Sequence, residues 1–145
     1  MPDVKTYDLQ RFVAAQAGIF EQARAELQAG EKHTHWMWFI FPQLRGLGSS
    51  AMATRYAIAS HAEAKSYLDH PLLGPRLSEC AEIVTALTGH SIEQIFGYPD
   101  NLKFHSSMTL FAAVLGKKSV FAQALQKYYS GKADEATLRL LAFGS

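Results

Sequence analysis

Helix-start signals recur along this chain, and almost no stretch alternates apolar and polar residues as a half-buried strand would. Two serines, Ser60 and Ser91, are followed three residues later by Glu63 and Gln94, which is the spacing of a capping box at a helix N-terminus. Apolar side chains recur at helical spacing behind both signals. The chain is therefore predicted to be all-α, a compact bundle of roughly six to eight helices with little or no sheet.

Other helices are located by their N-cap residues and by the glycines that follow them. Asp8 begins an amphipathic segment whose apolar stripe continues almost to Gly30. No internal repeat, low-complexity tract or linker is visible, so residues 1–145 are predicted to form a single helical domain. The run "WMWFIF" is too short for its periodicity to decide between helix and strand. Further helix starts are predicted at Ser49 or Ser50, Pro75, Asp100, Ser119 and Asp134.

The composition disfavours several classes of protein. The 145 residues are 48% hydrophobic, which is enough for a core, and their formal net charge is +1. A general nucleic-acid or membrane-surface binder carries a large basic excess, so we expect neither partner. The single cysteine, Cys80, fits a reducing compartment, and no apolar run approaches the ~18 residues of a membrane span. We therefore expect a cytoplasmic protein.

The stretch "HTHWMWFIFPQLRGLGSS", residues 33–50, contains the first candidate site. Burying a large apolar side chain stabilises a fold by ~1.5–3 kcal/mol, so most of Trp38 to Phe41 is expected in the core. A buried His35 would need a hydrogen-bond partner, and it could be either a structural lock or a general acid–base catalyst. We take His35 as the candidate catalytic residue. The "GLGSS" turn either starts a helix or also offers backbone N–H groups to an anion.

Two further polar clusters extend this candidate site. Lys103 and Ser107 are four residues apart on one helix, where they could hold an anionic group, or Lys103 could point into solvent. Arg76 suits a bidentate contact to phosphate or carboxylate, a salt bridge to Glu79 or Glu82, or packing over Tyr67. These clusters predict a small-molecule-binding domain, open to being an enzyme, whose ligand is anionic and phosphate-bearing or nucleotide-like. Its predicted ligand-binding residues are Trp36, Trp38, Gln43, Ser50, Tyr56, Arg76, Lys103 and Ser107.

Two other kinds of site receive less support from the residues. His33 and His35 have a spacing that can serve a metal, but no H-E-x-x-H motif or cysteine pair accompanies them, so we expect neither metal nor cofactor. The alternative function is a non-catalytic protein–protein interaction module, with a partner protein or a second copy bound on the apolar clusters or the C-terminal helices. Convergence of His35, Arg76 and Lys103 on one hollow would favour the ligand site.

Three blocks of the sequence resemble a known family. They are "HWMWFIFPQLRGLGSSAMATRYAI", "EAKSYLDHPLLGPRLSEC" and "DNLKFHSSMTLFAAV". These blocks resemble the bacterial domain-of-unknown-function family 1810, and the likeness runs from about Tyr7 to the last helix. The resemblance implies a mainly helical single domain and supplies no function. Some members carry the label calpastatin, which does not fit this chain because calpastatin inhibitors are polar and largely disordered.

Overall fold

The structure, a computed structural model, describes residues 7–144. The β-structure found in this range is one isolated parallel β-bridge between Leu44 and Ile58. The prediction of an all-α fold with little sheet is therefore confirmed. Within the same range, no helix combines the length and hydropathy that crossing a bilayer requires. The helices in chain order are α1 (Gln10–Gln16), α2 (Phe20–Gln28), α3 (Met37–Ile40), α4 (Ala51–Arg55), α5 (His61–Asp69), α6 (Leu73–Ala86), α7 (Ile92–Phe96), α8 (Asp100–Leu115), α9 (Val120–Tyr129) and α10 (Glu135–Gly144).

The ten helices of the described residues exceed the predicted six to eight, and two local features explain the difference. The segment predicted as one helix from Asp8 to Gly30 is broken at Gly18, whose φ of +75° lies in the left-handed region that a continuing helix excludes. The undecided run "WMWFIF" contains the short helix α3. Asp8 is also not the N-cap of α1, because Leu9 occupies that position without a side-chain cap.

Most of the predicted helix caps are present. Ser91 and Gln94 form a reciprocal capping box, with Gln94 N donating to Ser91 Oγ at 3.1 Å and Ser91 N donating to Gln94 Oε1 at 2.8 Å. Ser60 accepts from Glu63 N at 3.2 Å, but the Glu63 carboxylate accepts from Ala59 N instead of returning to Ser60. Side-chain caps are also made at Ser50, Ser119 and Asp134.

α8 runs through the bundle and packs against α5, α7, α9 and α10. Four large apolar side chains recur at helical spacing along α8; Phe104, Met108 and Phe111 are completely buried, whereas Leu115 is 55% exposed. Phe41 packs edge-on against Phe104 with ring centroids 5.0 Å apart, which joins the "WMWFIF" run to α8. The expectation that most of this run lies in the core is confirmed. Trp38 is the exception, because its side chain is half-buried.

Buried Gln16 ties four helices together. Its Nε2 donates to the carbonyl of Phe39 at 2.8 Å and to the hydroxyl of Tyr67 at 3.2 Å, while its Oε1 accepts from Arg76 Nη1 at 3.2 Å. The bonds join α1 to α3, α5 and α6. A buried amide with partners on both of its ends avoids the cost of an unsatisfied polar group.

α5 and α6 approach closely at Gly74. A Cβ atom at this position would lie 2.1 Å from the carbonyl oxygen of Leu68, well inside van der Waals contact. Gly74 is buried, and its amide donates to His70 O at 3.1 Å. The crossing of the two helices therefore depends on the absence of a side chain at Gly74.

Candidate functional site

A cavity of about 570 Å³ lies where α3, α4, α8 and the start of α10 meet. Four of the nine predicted site residues line it: Trp38, Gln43, Ser50 and Lys103. They come from separate segments of the chain, so the fold brings together side chains up to 65 positions apart in sequence. The other lining residues are Leu47, Gly48, Ser49, Ala53, Pro99, Leu102, Ser106, Asp134 and Ala136.

Lys103 supplies the positive charge of this cavity. Its ammonium lies 3.1 Å from Asp100 Oδ1 and 5.0 Å from the ring centroid of Trp38. The second oxygen of Asp100 pairs with Lys32 Nζ at 2.8 Å. Two ammonium groups thus share one carboxylate, and one positive charge remains in excess.

Asp100 was predicted to cap α8, and this prediction is wrong. The N-cap of α8 is Pro99, which makes no side-chain cap, and Asp100 is the first residue of the helix. Its carboxylate is occupied by the two lysines instead. An acidic residue in a first turn still interacts favourably with the helix dipole.

Asp134 and Ser106 form a second polar part of the cavity wall, and neither was predicted as a site residue. Asp134 Oδ2 accepts from Ser106 Oγ at 3.1 Å, from Thr137 N at 3.2 Å and from Thr137 Oγ1 at 2.6 Å. The carboxylate is therefore held in one orientation by three donors on α8 and α10. The helical spacing of Lys103 and Ser106, i and i+3, was a signal that they share a face.

Glu26 organises the loop that precedes Trp38. Its buried carboxylate accepts hydrogen bonds from the backbone N–H of His33 at 2.7 Å and of Thr34 at 3.0 Å, and from Thr34 Oγ1 at 2.6 Å. It also accepts from Trp36 Nε1 at 2.9 Å and from Gln22 Nε2 at 2.8 Å. These five donors fix the path of the chain into α3, and hence the position of Trp38.

The same hydrogen bonds control the ionisation of Glu26. Burial raises the pKa of the carboxyl, but the donors from Thr34, Gln22 and His33 outweigh it and lower the pKa from its ordinary value of 4.5 to about 2. The carboxylate is therefore fully charged at neutral pH although it is 4% exposed. Its role is to hold the loop in place, since it does not line the cavity.

The loop between α3 and α4 is anchored at both ends. Ile58 N donates to Gln43 O at 2.8 Å and Arg45 N donates to Ile58 O at 2.7 Å, which forms the isolated bridge. Ser50 Oγ accepts from Ala53 N at 3.1 Å and so caps α4. The "GLGSS" turn is thus a helix start, and the Ser50 hydroxyl also lies on the cavity wall.

The remaining predicted site residues lie away from this cavity. Trp36 is completely buried and its indole N–H is bound to Glu26. Ser107 is also completely buried and its hydroxyl has no hydrogen-bond partner in the described part of the chain. His35 is exposed in the loop before α3 and does not line the cavity. An exposed imidazole outside the cavity has no substrate-facing position there, so the structure gives no support to His35 as its acid–base group.

Tyr56 and Arg76 have structural contacts instead. The Tyr56 ring is 8% exposed and lies 5.8 Å from Phe12 and 5.4 Å from Phe39, centroid to centroid. The Arg76 guanidinium lies 4.5 Å over the ring of Phe20 and donates to Gln16, so neither Glu79 nor Glu82 is its partner. The predicted convergence of His35, Arg76 and Lys103 on one hollow is not found at this cavity, where Lys103 alone of the three contributes.

The histidine pair considered for a metal is arranged differently. His33 Nε2 lies 3.1 Å from Glu31 Oε1, and both side chains are more than half exposed. Among residues 7–144, no three His, Cys, Asp or Glu side chains lie together as a metal site requires.

The fold and the cavity define an all-α protein with a hollow lined by both apolar and polar side chains, among them the indole ring of Trp38. Residues 6–141 match the family DUF1810, whose description is a protein of unknown function, and the chain belongs to that family. It is also similar to the conserved hypothetical protein Rv1873 from Mycobacterium tuberculosis, whose crystal structure has 56% sequence identity and a TM-score of 0.92, over 94% of this chain and 97% of that one. No curated protein matches the chain. The resemblance inferred from the sequence is confirmed.

Proposed function

We propose that this protein binds a small anionic molecule that carries a planar ring, in the cavity lined by Trp38 and Lys103. The observation that carries the proposal is the position of the Lys103 ammonium, 5.0 Å from the Trp38 ring centroid, on the wall of a cavity of about 570 Å³. An indole offers a stacking surface for a ring, and an adjacent ammonium pairs with phosphate or carboxylate. Nucleotide-like molecules combine both groups.

The two lysines at Asp100 support an anionic group beside Lys103, although the charged side chains that line the cavity, Lys103 and Asp134, balance each other. Lys32 and Lys103 share the Asp100 carboxylate, which leaves one positive charge without a counter-charge in this triad. The Lys103 side chain is 24% exposed and that of Lys32 is 8% exposed, so Lys103 is the ammonium that a ligand reaches. A partly buried charge in excess is stabilised by an incoming anion.

Asp134 gives the ligand a second requirement. Its carboxylate lines the same cavity as Lys103, with Oδ2 held by Ser106 and Thr137. A fixed carboxylate accepts hydrogen bonds, so the ligand carries a hydroxyl or amino donor in addition to its anionic group. The sugar hydroxyls or the base amino group of a nucleotide meet this requirement.

The size of the cavity agrees with such a ligand. Small-molecule sites commonly have volumes of about 300–1,000 Å³, and this one is about 570 Å³. We propose binding at this cavity and assign no catalytic role there to His35, the acid–base candidate, because His35 does not line it.

Isothermal titration calorimetry with adenosine 5′-monophosphate tests the proposal. We expect Lys103→Gln to weaken binding about tenfold or more, because a hydrogen bond to a charged group contributes about 1.5–3 kcal/mol. Adenosine, which keeps the ring and lacks the phosphate, is expected to bind more weakly than the nucleotide. Lys65→Gln is the matched control, since Lys65 is an exposed lysine paired with Asp69 on α5, and it should bind as the wild type does.

Two results would contradict this proposal. One is the absence of adenosine 5′-monophosphate binding to the wild-type protein. The other is equal nucleotide affinity in the wild type and Lys103→Gln, which would place the anion elsewhere.

A second candidate function, a protein–protein interaction module, is favoured by one observation. A groove of about 620 Å³ between α8, α9 and α10 is lined mainly by small side chains, including Ala112, Ala113 and Ala122, and by Leu138, which is 44% exposed. An apolar groove of this kind could accept a large side chain of a partner. Ala113→Arg would block the groove and leave nucleotide binding unchanged, which separates the two functions.

A further inference from the structure

A second cavity, of about 350 Å³, is bordered by three arginines. They are Arg11 of α1, Arg45 of the loop before α4, and Arg55 at the end of α4. No residue lines both this cavity and the one at Trp38. The geometry points to a second anion site here, for a phosphate or pyrophosphate group, distinct from the site of the proposed function.

Arg11 forms the fixed part of this cavity. Its side chain is 14% exposed, and it donates to the carbonyls of Arg55 at 2.8 Å and Ala57 at 2.7 Å, and to Glu63 Oε2 at 3.1 Å. A further bond goes to the carbonyl of Asp8. Arg11 is therefore occupied by the protein itself, and its bonds fix the backbone from which the Arg55 side chain emerges.

Arg45 and Arg55 are the two arginines that a ligand could engage. The backbone of Arg45 is fixed by the bond of its N–H to Ile58 O at 2.7 Å, and the Arg55 guanidinium lies 5.6 Å from the Tyr56 ring centroid. Both side chains are exposed. Over residues 7–144, neither guanidinium forms an ion pair with a carboxylate, although most arginines of this chain do so or are otherwise hydrogen-bonded.

The charges around the cavity favour an anion. Two carboxylates, those of Asp8 and Glu63, belong to lining residues, and Glu63 is already paired with Arg11. Three arginines against these two carboxylates leave one positive charge in excess. Like charges on one cavity repel each other, and an anion with several oxygens relieves the repulsion by accepting from both guanidiniums. A guanidinium group can donate two parallel hydrogen bonds to two oxygens of a phosphate, whereas the single ammonium group in the first cavity cannot.

Titration of the full chain with sodium pyrophosphate at low ionic strength tests this inference, because exposed charges are least screened there. We expect pyrophosphate to bind the wild type, and we expect Arg45→Gln and Arg55→Gln each to lower its affinity about tenfold or more. Arg139→Gln is the matched control, since Arg139 is an exposed arginine of α10 that does not line this cavity. Both substituted arginines are exposed, and thermal unfolding followed by circular dichroism checks that the variants remain folded.

The same titrations distinguish the two anion sites. Lys103→Gln should leave the affinity for pyrophosphate unchanged. Lys103→Gln should also weaken nucleotide binding to the same extent whether or not Arg45→Gln is present. Pyrophosphate binding that is lost in Lys103→Gln and kept in Arg45→Gln and Arg55→Gln would overturn the inference. So would the absence of pyrophosphate binding to the wild type, whatever the nucleotide does.

Discussion

Replacement of Glu26 by glutamine is expected to destabilise the protein by about 3 kcal/mol at neutral pH. The carboxylate accepts five hydrogen bonds, and an amide in its place would present an N–H₂ group to donors such as Thr34 and Trp36. The magnitude agrees with the pKa of Glu26, which is lowered from 4.5 to about 2. Equilibrium unfolding in urea, followed by circular dichroism, measures the loss.

The pH dependence of the same experiment has a defined sign. Because the folded-state pKa of Glu26 is depressed, its stabilising contribution is fully present above about pH 4.5 and is lost as the pH falls towards about 2. The difference in stability between wild type and Glu26→Gln should therefore narrow on acidification. Glu82→Gln, on the exposed surface of α6, is the control and should change stability by about 0.5 kcal/mol or less. Equal stability of Glu26→Gln and wild type at pH 7 would show that Glu26 does not organise the loop.

Gly74→Ala is expected to destabilise the protein by about 3 kcal/mol. In an exposed helix interior the same change normally stabilises by up to about 1 kcal/mol, because alanine has the higher helix propensity. Here the added methyl group would lie 2.1 Å from the carbonyl oxygen of Leu68, and a backbone atom cannot move aside as a flexible side chain can. Steric overlap therefore reverses the sign that propensity alone predicts.

Thermal unfolding of Gly74→Ala beside Pro75→Ala measures this effect. Pro75 is the next residue of α6 and is exposed, so its replacement should cost about 1 kcal/mol or less. A Gly74→Ala protein as stable as the wild type would mean that α5 and α6 do not approach as closely as the structure describes.

The features of the fold that were predictable are those encoded by residues close in sequence. The capping box at Ser91 and Gln94 is such a feature, because both of its hydrogen bonds span three residues. The break at Gly18 was missed, since a single glycine is tolerated within an amphipathic pattern, and α1 and α2 pack against different helices, α3 and α6. The short helix α3 was also undetermined, because four residues are too few to show a period.

Four residues of the candidate site were predictable from the type of side chain and the motif in which each lies. Trp38 and Lys103 were identified, and the structure places both on one cavity. Ser107 was chosen where Ser106 lines the cavity, because residues at i+3 and i+4 from Lys103 both lie on its helix face. Asp134 was interpreted only as a cap, since its contact with Ser106 joins positions 28 residues apart.

Arg76 shows more clearly that contacts between residues far apart in sequence could not be predicted. Its hydrogen bond to Gln16 spans 60 residues, and its contact with Phe20 spans 56. The sequence offered Glu79 and Glu82 as partners because they lie on the same helix. Tertiary packing decides which of these polar side chains remain available to a ligand. A local sequence pattern does not show that packing.

The indole N–H signals of the two tryptophans give the most direct measurement on the cavity at Trp38 and Lys103. The chain contains Trp36, which is buried against Glu26, and Trp38, which lines the cavity. In ¹H–¹⁵N spectra recorded during titration with millimolar adenosine 5′-monophosphate, the Trp38 signal is expected to shift progressively while the Trp36 signal stays in place. Two stationary indole signals, or a shift confined to Trp36, would contradict the binding of a ring-bearing anion in this cavity.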